Sequence, residues 1–361
     1  MDNLLHGISH EEAAKDPDGY LREVLKWHFS PETGSRFWRE RAARLDFDPL
    51  TDITRISDLR RFPDLSDDLR TVPAEDLIPA GARGDTFEVF ESGGTTGAPK
   101  RVVDSASRSQ NVLWVSRALR EYGFPDQGHW LHVGPSGPHV VGRTVKHLAA
   151  ERGALCFTVD FDPRWVKRLL AAGRTDLANE YREYLLDQVE LIVSSQDVRV
   201  LFITPPVLES LCTRTALYEK VAERLRGLLW AGTSVSAETL WQIEHTFFPD
   251  AAVAAIYGNT LMGIAPQRPR EEGDAHHCVF TPFFPQSVVE VVDSETREQV
   301  GYGERGRVLM HLLSRDMFLP NVLERDTAVR VAPGAGTTVD GLADIAPYQD
   351  GTGTKVIEGV Y

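Results

Sequence analysis

Glu91-Ser92-Gly93-Gly94-Thr95-Thr96-Gly97-Ala98-Pro99-Lys100 follows directly on the alternating run Thr86-Phe87-Glu88-Val89-Phe90, which reads as a strand. Glycines let backbone N–H groups close on an anion, hydroxyls add donors, and a lysine brings a point charge to phosphate oxygens. Arg101-Val102-Val103 continues as strand-type sequence, so the loop joins two strands. A Walker A loop instead ends in Gly-Lys-Ser/Thr and opens a helix. Pro99 before Lys100 and the β-type continuation exclude it. On composition alone the plainer alternative is a glycine-rich hairpin turn with incidental hydroxyls.

Outward from the loop, strands and helices alternate. Strands are expected at Trp130 to Val133, Leu155 to Val159, Val200 to Ile203, Leu228 to Ala231 and Ala252 to Tyr257, after the first at Thr86 to Phe90. Helices are expected at Ser105 to Tyr122, His139 to Arg152, Arg164 to Ala172, Leu177 to Val193, Pro205 to Arg226 and Ala237 to Phe248. This alternation implies an α/β fold with a largely parallel sheet flanked by helices. In such sheets ligands sit beyond the carboxyl ends of strands, where this chain has Gly134-Pro135-Ser136, Gly232-Thr233-Ser234 and Gly258-Asn259-Thr260. Glycine-rich turns are also common there for geometry alone.

Before the loop, residues 1–85 read as a helical lead-in: Gly19 to Phe29 has helical spacing, and Ser30-Pro31-Glu32 carries a second start signal. Residues 86–277 form the expected α/β core. Residues 278–361 turn β-rich, with strands at Ser287 to Asp293, Gly306 to Met310 and Ala328 to Val331, which suggests a small barrel-like subdomain.

With 361 residues the chain buries a large core, as one large or two fused domains. A net charge of −14 argues against a general nucleic-acid or membrane-surface binder, though a local loop and lysine suffice for a nucleotide. No apolar run reaches membrane-spanning length and the N-terminus lacks signal-peptide blocks, so the cytoplasm is the expected compartment. Cys156, Cys212 and Cys278 are odd in number and far apart, which suggests neither a disulfide framework nor a CxxC site. His276-His277-Cys278 are adjacent and do not converge easily on one ion, so no metal ligand is assigned.

The loop, the Tyr257-Gly258-Asn259-Thr260 turn and Glu324-Arg325-Asp326 together resemble the adenylate-forming superfamily, and within it the phenylacetate-CoA ligase branch. The phosphate loop of that family, Ser-Gly-Thr-Thr-Gly-x-Pro-Lys, is matched from Ser92 to Lys100 with one extra glycine. Phe37-Trp38-Arg39, Ile56-Ser57-Asp58-Leu59 and Phe62-Pro63-Asp64-Leu65 resemble its helical lead-in. His277, Glu290 and Gly303-Glu304-Arg305-Gly306 resemble the segment before its ribose-binding aspartate.

The resemblance implies activation of a carboxylic acid with ATP to an acyl-adenylate and pyrophosphate, with Mg2+ as companion ion. It further implies that Ser92, Gly93, Thr95, Thr96, Gly97 and Lys100 hold the β- and γ-phosphates and that Thr260 bonds the α-phosphate. Tyr257, with Gly258 and Asn259 in the same turn, would stack on adenine across from Ala231-Gly232-Thr233. Asp326 would bind the ribose. The acyl pocket would draw on Gly134, Pro135, Ser136 and His139, with Met262, Gly263 and Ile264 opposite. His139 reads equally as a helix-start residue.

Two departures matter. The family's Tyr-Gly-x-Thr-Glu motif ends here in Leu261, which removes the glutamate that usually holds Mg2+. The chain also stops 35 residues after Asp326, shorter than a domain, so a short form without the mobile C-terminal domain and its lysine is expected. Such forms resemble the adenylating proteins of phenazine-antibiotic (griseoluteic acid) biosynthesis. They imply a small aromatic carboxylic acid as substrate, with transfer to an acceptor protein or an amine. A weakly catalytic nucleotide- or acyl-adenylate-binding accessory protein and an aryl-CoA ligase are the alternatives.

Overall fold

The computed structural model describes residues 3–92, 98–105 and 107–348. The chain divides into two compact units, one of Met1–Asn111, Asn259–Ile264 and Pro282–Leu342, the other of Val112–Gly258, Ala265–Thr281 and Ala343–Tyr361.

In the second unit the parallel strands run side by side in the order Cys156–Asp160, His129–Gly134, Val198–Ile203, Gly227–Trp230 and Ala252–Asn259. Val200, Leu201, Phe202 and Ile203 are all buried, the continuous apolar run expected of a strand covered on both faces. Helices join successive strands. Val140–Ala150 buries Val140, Thr144, Val145 and Leu148, one stripe at helical spacing. Pro163–Ala171 starts on Asp162, whose carboxylate accepts from Arg164 N, with Pro163 opening the first turn.

The single helix expected over Pro205 to Arg226 is two, Pro205–Thr213 and Thr215–Arg224, broken at Arg214 (φ −87°, ψ 83°). The Arg214 guanidinium is drawn aside to Glu183 and Asp187 at 2.7 and 2.8 Å. The helix from Ala237 ends at Gln242 and passes into a π turn over Ile243–Phe247.

The first unit joins the helical lead-in to an antiparallel sheet. Ser287–Val292 pairs with Arg305–Leu313, which pairs with Phe318–Val331. The strand expected at Thr86 to Phe90 is observed as Glu88–Glu91 and lies outside the parallel sheet. It forms an antiparallel hairpin with Arg101–Asp104, Glu91 opposite Arg101.

Lead-in helix Pro17–Phe29 is opened by Asp16 and Pro17. The next helix begins later than Ser30-Pro31 suggests, at Arg36, where Ser35 Oγ accepts from Trp38 N. Polar tips from both helices reach one stretch of backbone. Tyr20 Oη donates to Leu313 O (2.6 Å), Trp27 Nε1 to Arg315 O (2.8 Å) and Trp38 Nε1 to Phe318 O (3.0 Å). His28 Nε2 lies 2.7 Å from Ser314 O, so it carries the proton. The corner between two sheet strands thus has its carbonyls satisfied by buried aromatic side chains.

The lead-in's charges are not all solvent-facing. Arg60 pairs with Glu290, and buried His311 Nε2 stands 3.4 Å from the same carboxylate. Burial opposes ionisation of Glu290, but the neighbouring His311 and Arg60 outweigh it and hold the carboxyl below its usual range.

Candidate active site

The neck of the phosphate-type loop is closed by two hydrogen bonds, Ser92 N to Lys100 O and Lys100 N to Ser92 Oγ, both 2.9 Å. The first extends the hairpin ladder by one backbone rung, and the second ties the Ser92 hydroxyl across it. The Ser92 hydroxyl is therefore engaged with the chain itself. Arg70 reaches from the lead-in to Ala98 O. Gly93, Thr95, Thr96 and Gly97 lie outside the described residues.

Lys100 turns its ammonium inward. Nζ is 2.7 Å from Glu324 Oε1, and the two side chains are only 11% and 10% exposed. A buried ammonium is tolerated only with such a partner. Glu324 owes its position to an irregularity in its strand. Leu309 stands opposite Leu323 and Arg307 opposite Thr327, so Glu324, Arg325 and Asp326 together face Val308. Bulges of this kind re-aim side chains. Arg307 grips the bulge, its Nε and Nη2 donating to Glu324 O at 3.1 and 2.5 Å. Asp326, half-buried, belongs to the same bulge.

The turn after Ala252–Asn259 is pinned by side chains of the first unit. Asn259 Oδ1 accepts from Leu261 N at 2.8 Å, an Asx turn. Arg108 donates to Thr260 O. Asn111 clamps Ile264 on both sides, Nδ2 donating to its carbonyl at 2.8 Å and Oδ1 accepting from its N–H at 2.9 Å. Ser287 Oγ donates to Met262 O at 2.7 Å. Gly263 takes φ +96°, and a Cβ there would lie 2.9 Å from Asn111 Oδ1. Met262 and Ile264 are buried, and Thr260 is half-buried.

Leu261, 3% exposed, sits in the core where the sequence comparison expects a metal-holding glutamate. Among the described residues no group of three or more His, Cys, Asp or Glu converges on one point, and the Glu324 carboxylate is already taken by Lys100. The donors present do not fit a Mg2+ held by protein carboxylates at this turn.

The remaining expected residues lie in the second unit. Tyr257 is 8% exposed, its ring 6.2 Å from that of Phe280, so most of its surface is already packed. Gly232 has φ +98° after strand Gly227–Trp230, a turn that suits glycine; Ala231 and Thr233 beside it are half-buried, and Gly258 is exposed. His139 is the N-cap residue of Val140–Ala150 and makes no side-chain capping bond.

Ser136 N and Oγ both donate to Asp160 Oδ1 at 2.7 Å, so this serine is committed to the neighbouring strand end. Gly142 packs so closely that a Cβ would come within 2.6 Å of Ser136 Cα. Beneath Gly134, His132 is buried against Phe202, with Nε2 3.3 Å from Pro135 O, and burial pushes its imidazole down to about 4. It is a neutral core group. Glu324, Arg307, Asn111 and Arg108 were not foreseen as site residues; only Glu324 stood within a stretch that sequence comparison had marked.

No family model matches the chain, and no curated protein matches it. Solved structures do. The 2-hydroxyisobutyryl-CoA ligase in complex with 2-HIB-AMP and CoA in the thioesterification state superimposes with a TM-score of 0.66 at 17% identity, covering 94% of this chain and 69% of that one. The same ligase in the postadenylation state with 2-HIB-AMP gives 0.65 at 16%, covering 94% and 68%. Its open conformation with 2-HIB-AMP and CoA gives 0.64 at 16%, covering 94% and 70%. The chain has the fold of an adenylate-forming ligase, with a helix-flanked parallel sheet and an antiparallel sheet.

Proposed function

We propose that the chain activates a carboxylic acid with ATP. A carboxylate oxygen attacks the α-phosphorus, the bond to the bridging oxygen breaks, and pyrophosphate leaves with the electron pair, giving an acyl-adenylate. Both reactants are anionic, so positioning and charge neutralisation are the main catalytic tasks. In this reading Lys100 and the loop from Ser92 to Gly97 hold the β- and γ-phosphates, and Thr260 bonds the α-phosphate. Asp326 takes the ribose hydroxyls, and Tyr257 with Ala231-Gly232-Thr233 brackets adenine. The substrate is a small aromatic acid, and the setting is specialised, antibiotic-type metabolism with transfer to an acceptor protein or an amine.

The observation that supports the reading most is the Lys100 ammonium, buried at the neck of a glycine- and threonine-rich loop and 2.7 Å from Glu324, two positions along the strand from Asp326. The adenylate-forming ligase fold agrees with it. A second reading, an accessory protein that binds nucleotide or acyl-adenylate with little turnover, is favoured by the neutralised Lys100 and the buried Leu261.

Incubation with ATP and mixed aryl acids, trapping with hydroxylamine and identification of the hydroxamate by mass separates the two. A hydroxamate from one acid class supports the enzyme. Saturable ATP binding with no hydroxamate supports the accessory protein.

A further inference from the structure

We propose that Glu324 is an exchangeable counter-ion of Lys100, so that a polyphosphate reaching Lys100 takes the place of this carboxylate. The inference rests on the nucleotide-binding reading above and assigns Glu324 a part in it, as a positioning residue acting through Lys100.

Three features carry it. First, among the described residues Lys100 and Glu324 are each other's ion-pair partner, at 2.7 Å and nearly out of solvent. Desolvated charges have few alternatives to such a pairing. Second, the backbone of Glu324 is fixed without its carboxylate. Arg307 bonds its carbonyl through two nitrogens, and the bulge opposite Val308 is part of the sheet register. The carboxylate is therefore not needed to anchor the strand. Third, Lys100 is tied at its own backbone to Ser92, by N to Oγ and by O to Ser92 N. Its stem is anchored while its four-carbon side chain can turn from one anion to another.

A carboxylate carries one negative charge and a terminal phosphate nearly two, so the phosphate is the stronger partner for an ammonium. While Glu324 stays within reach it repels that phosphate, and parting the pair leaves a buried carboxylate without its cation. Both effects weaken polyphosphate binding. Removing the charge of Glu324 therefore strengthens binding, and does so most where Lys100 is present to be released.

The experiment is a four-chain cycle of wild type, Lys100→Gln, Glu324→Gln and the double variant, titrated calorimetrically with inorganic pyrophosphate and with ATP. Glu324→Gln is expected to tighten both ligands about tenfold, the scale of one charged hydrogen bond. In the Lys100→Gln background the same change is expected to tighten them by less, since only the repulsion between Glu324 and the phosphate is then relieved. Equal effects in both backgrounds, no effect, or weaker binding in Glu324→Gln overturns the proposal. Wild type that binds neither ligand overturns the nucleotide reading and this exchange with it.

A ligand-free measurement keeps the two failures apart. The rate at which an amine-reactive reagent labels Lys100, read by peptide mass against the other lysines, is expected to rise in Glu324→Gln, because the amine is no longer held against the carboxylate. An unchanged rate shows that the pair does not hold Lys100, and refutes the inference even where nucleotide binds. Thermal unfolding of each chain shows that it is folded. The double variant removes both charges together and so tolerates burial best.

Discussion

Asn111 is the side chain whose removal tests most sharply how the Thr260–Ile264 turn is held. It is 4% exposed, and both ends of its amide are used on one residue, Ile264, at 2.8 and 2.9 Å. Asn111→Ala leaves a buried N–H and a buried carbonyl without partners. At about 1–3 kcal/mol for each orphaned group, a loss of about 2–6 kcal/mol follows for the first unit.

Asn111→Asp discriminates further. Its carboxylate still accepts from Ile264 N but faces Ile264 O, an acceptor against an acceptor. The folded chain then favours the protonated acid, which raises the folded pKa above the unfolded one. The penalty is therefore full at neutral pH and shrinks as the pH falls through that folded pKa. Urea unfolding gives the magnitude, and amide hydrogen exchange at Ile264 gives the location. A loss below about 1 kcal/mol in Asn111→Ala, together with unchanged exchange at Ile264, refutes the clamp as the cause of the turn's geometry.

Other outcomes follow from the same geometry. Gly263→Ala places a Cβ 2.9 Å from Asn111 Oδ1 at φ +96°; about 1–3 kcal/mol of stability is lost, with Ile264 exchange accelerated as in Asn111→Ala. Burial pushes the imidazoles of His28 and His132 down to about 4. Between the ordinary value near 6.5 and that pKa the unfolded chain binds protons that the folded one refuses. Stability therefore falls as pH drops through this window, by up to about 3 kcal/mol per histidine. His28→Gln keeps a donor for Ser314 O, at 2.7 Å in the wild type, and is expected to remove about one proton from the slope of unfolding free energy against pH; an unchanged slope shows that His28 is not held neutral.

The parallel sheet was legible because its strands carry short uninterrupted apolar runs, Val200 to Ile203 and Leu228 to Trp230, bounded by polar or glycine residues. The hairpin around the loop was legible from strand-type sequence on both sides. What escaped depended on distant partners. Nothing local marks Arg214 as a helix break, and its guanidinium's partners, Glu183 and Asp187, stand on another helix. Ser30-Pro31 is a strong start signal, yet the cap is Ser35, whose hydroxyl receives Trp38 N.

In the candidate site, loop composition pointed to Lys100. It did not reveal Glu324 as its partner, since the bulge that presents Glu324 is visible only in the pairing of Leu309 with Leu323 and Arg307 with Thr327. Asn111 was hidden for a similar reason: a polar residue in an amphipathic helix reads as solvent-facing until the segment it clamps, 153 residues away, is folded against it.

The central claim is that this chain adenylates an acid through a phosphate site built on Lys100. Acid-dependent exchange of label between pyrophosphate and ATP, measured on wild type and Lys100→Ala with a broad panel of aromatic acids, tests it most directly. Exchange with at least one acid is expected, with a fall of about a hundredfold or more in Lys100→Ala. No exchange with any acid, or exchange indifferent to Lys100, would contradict it.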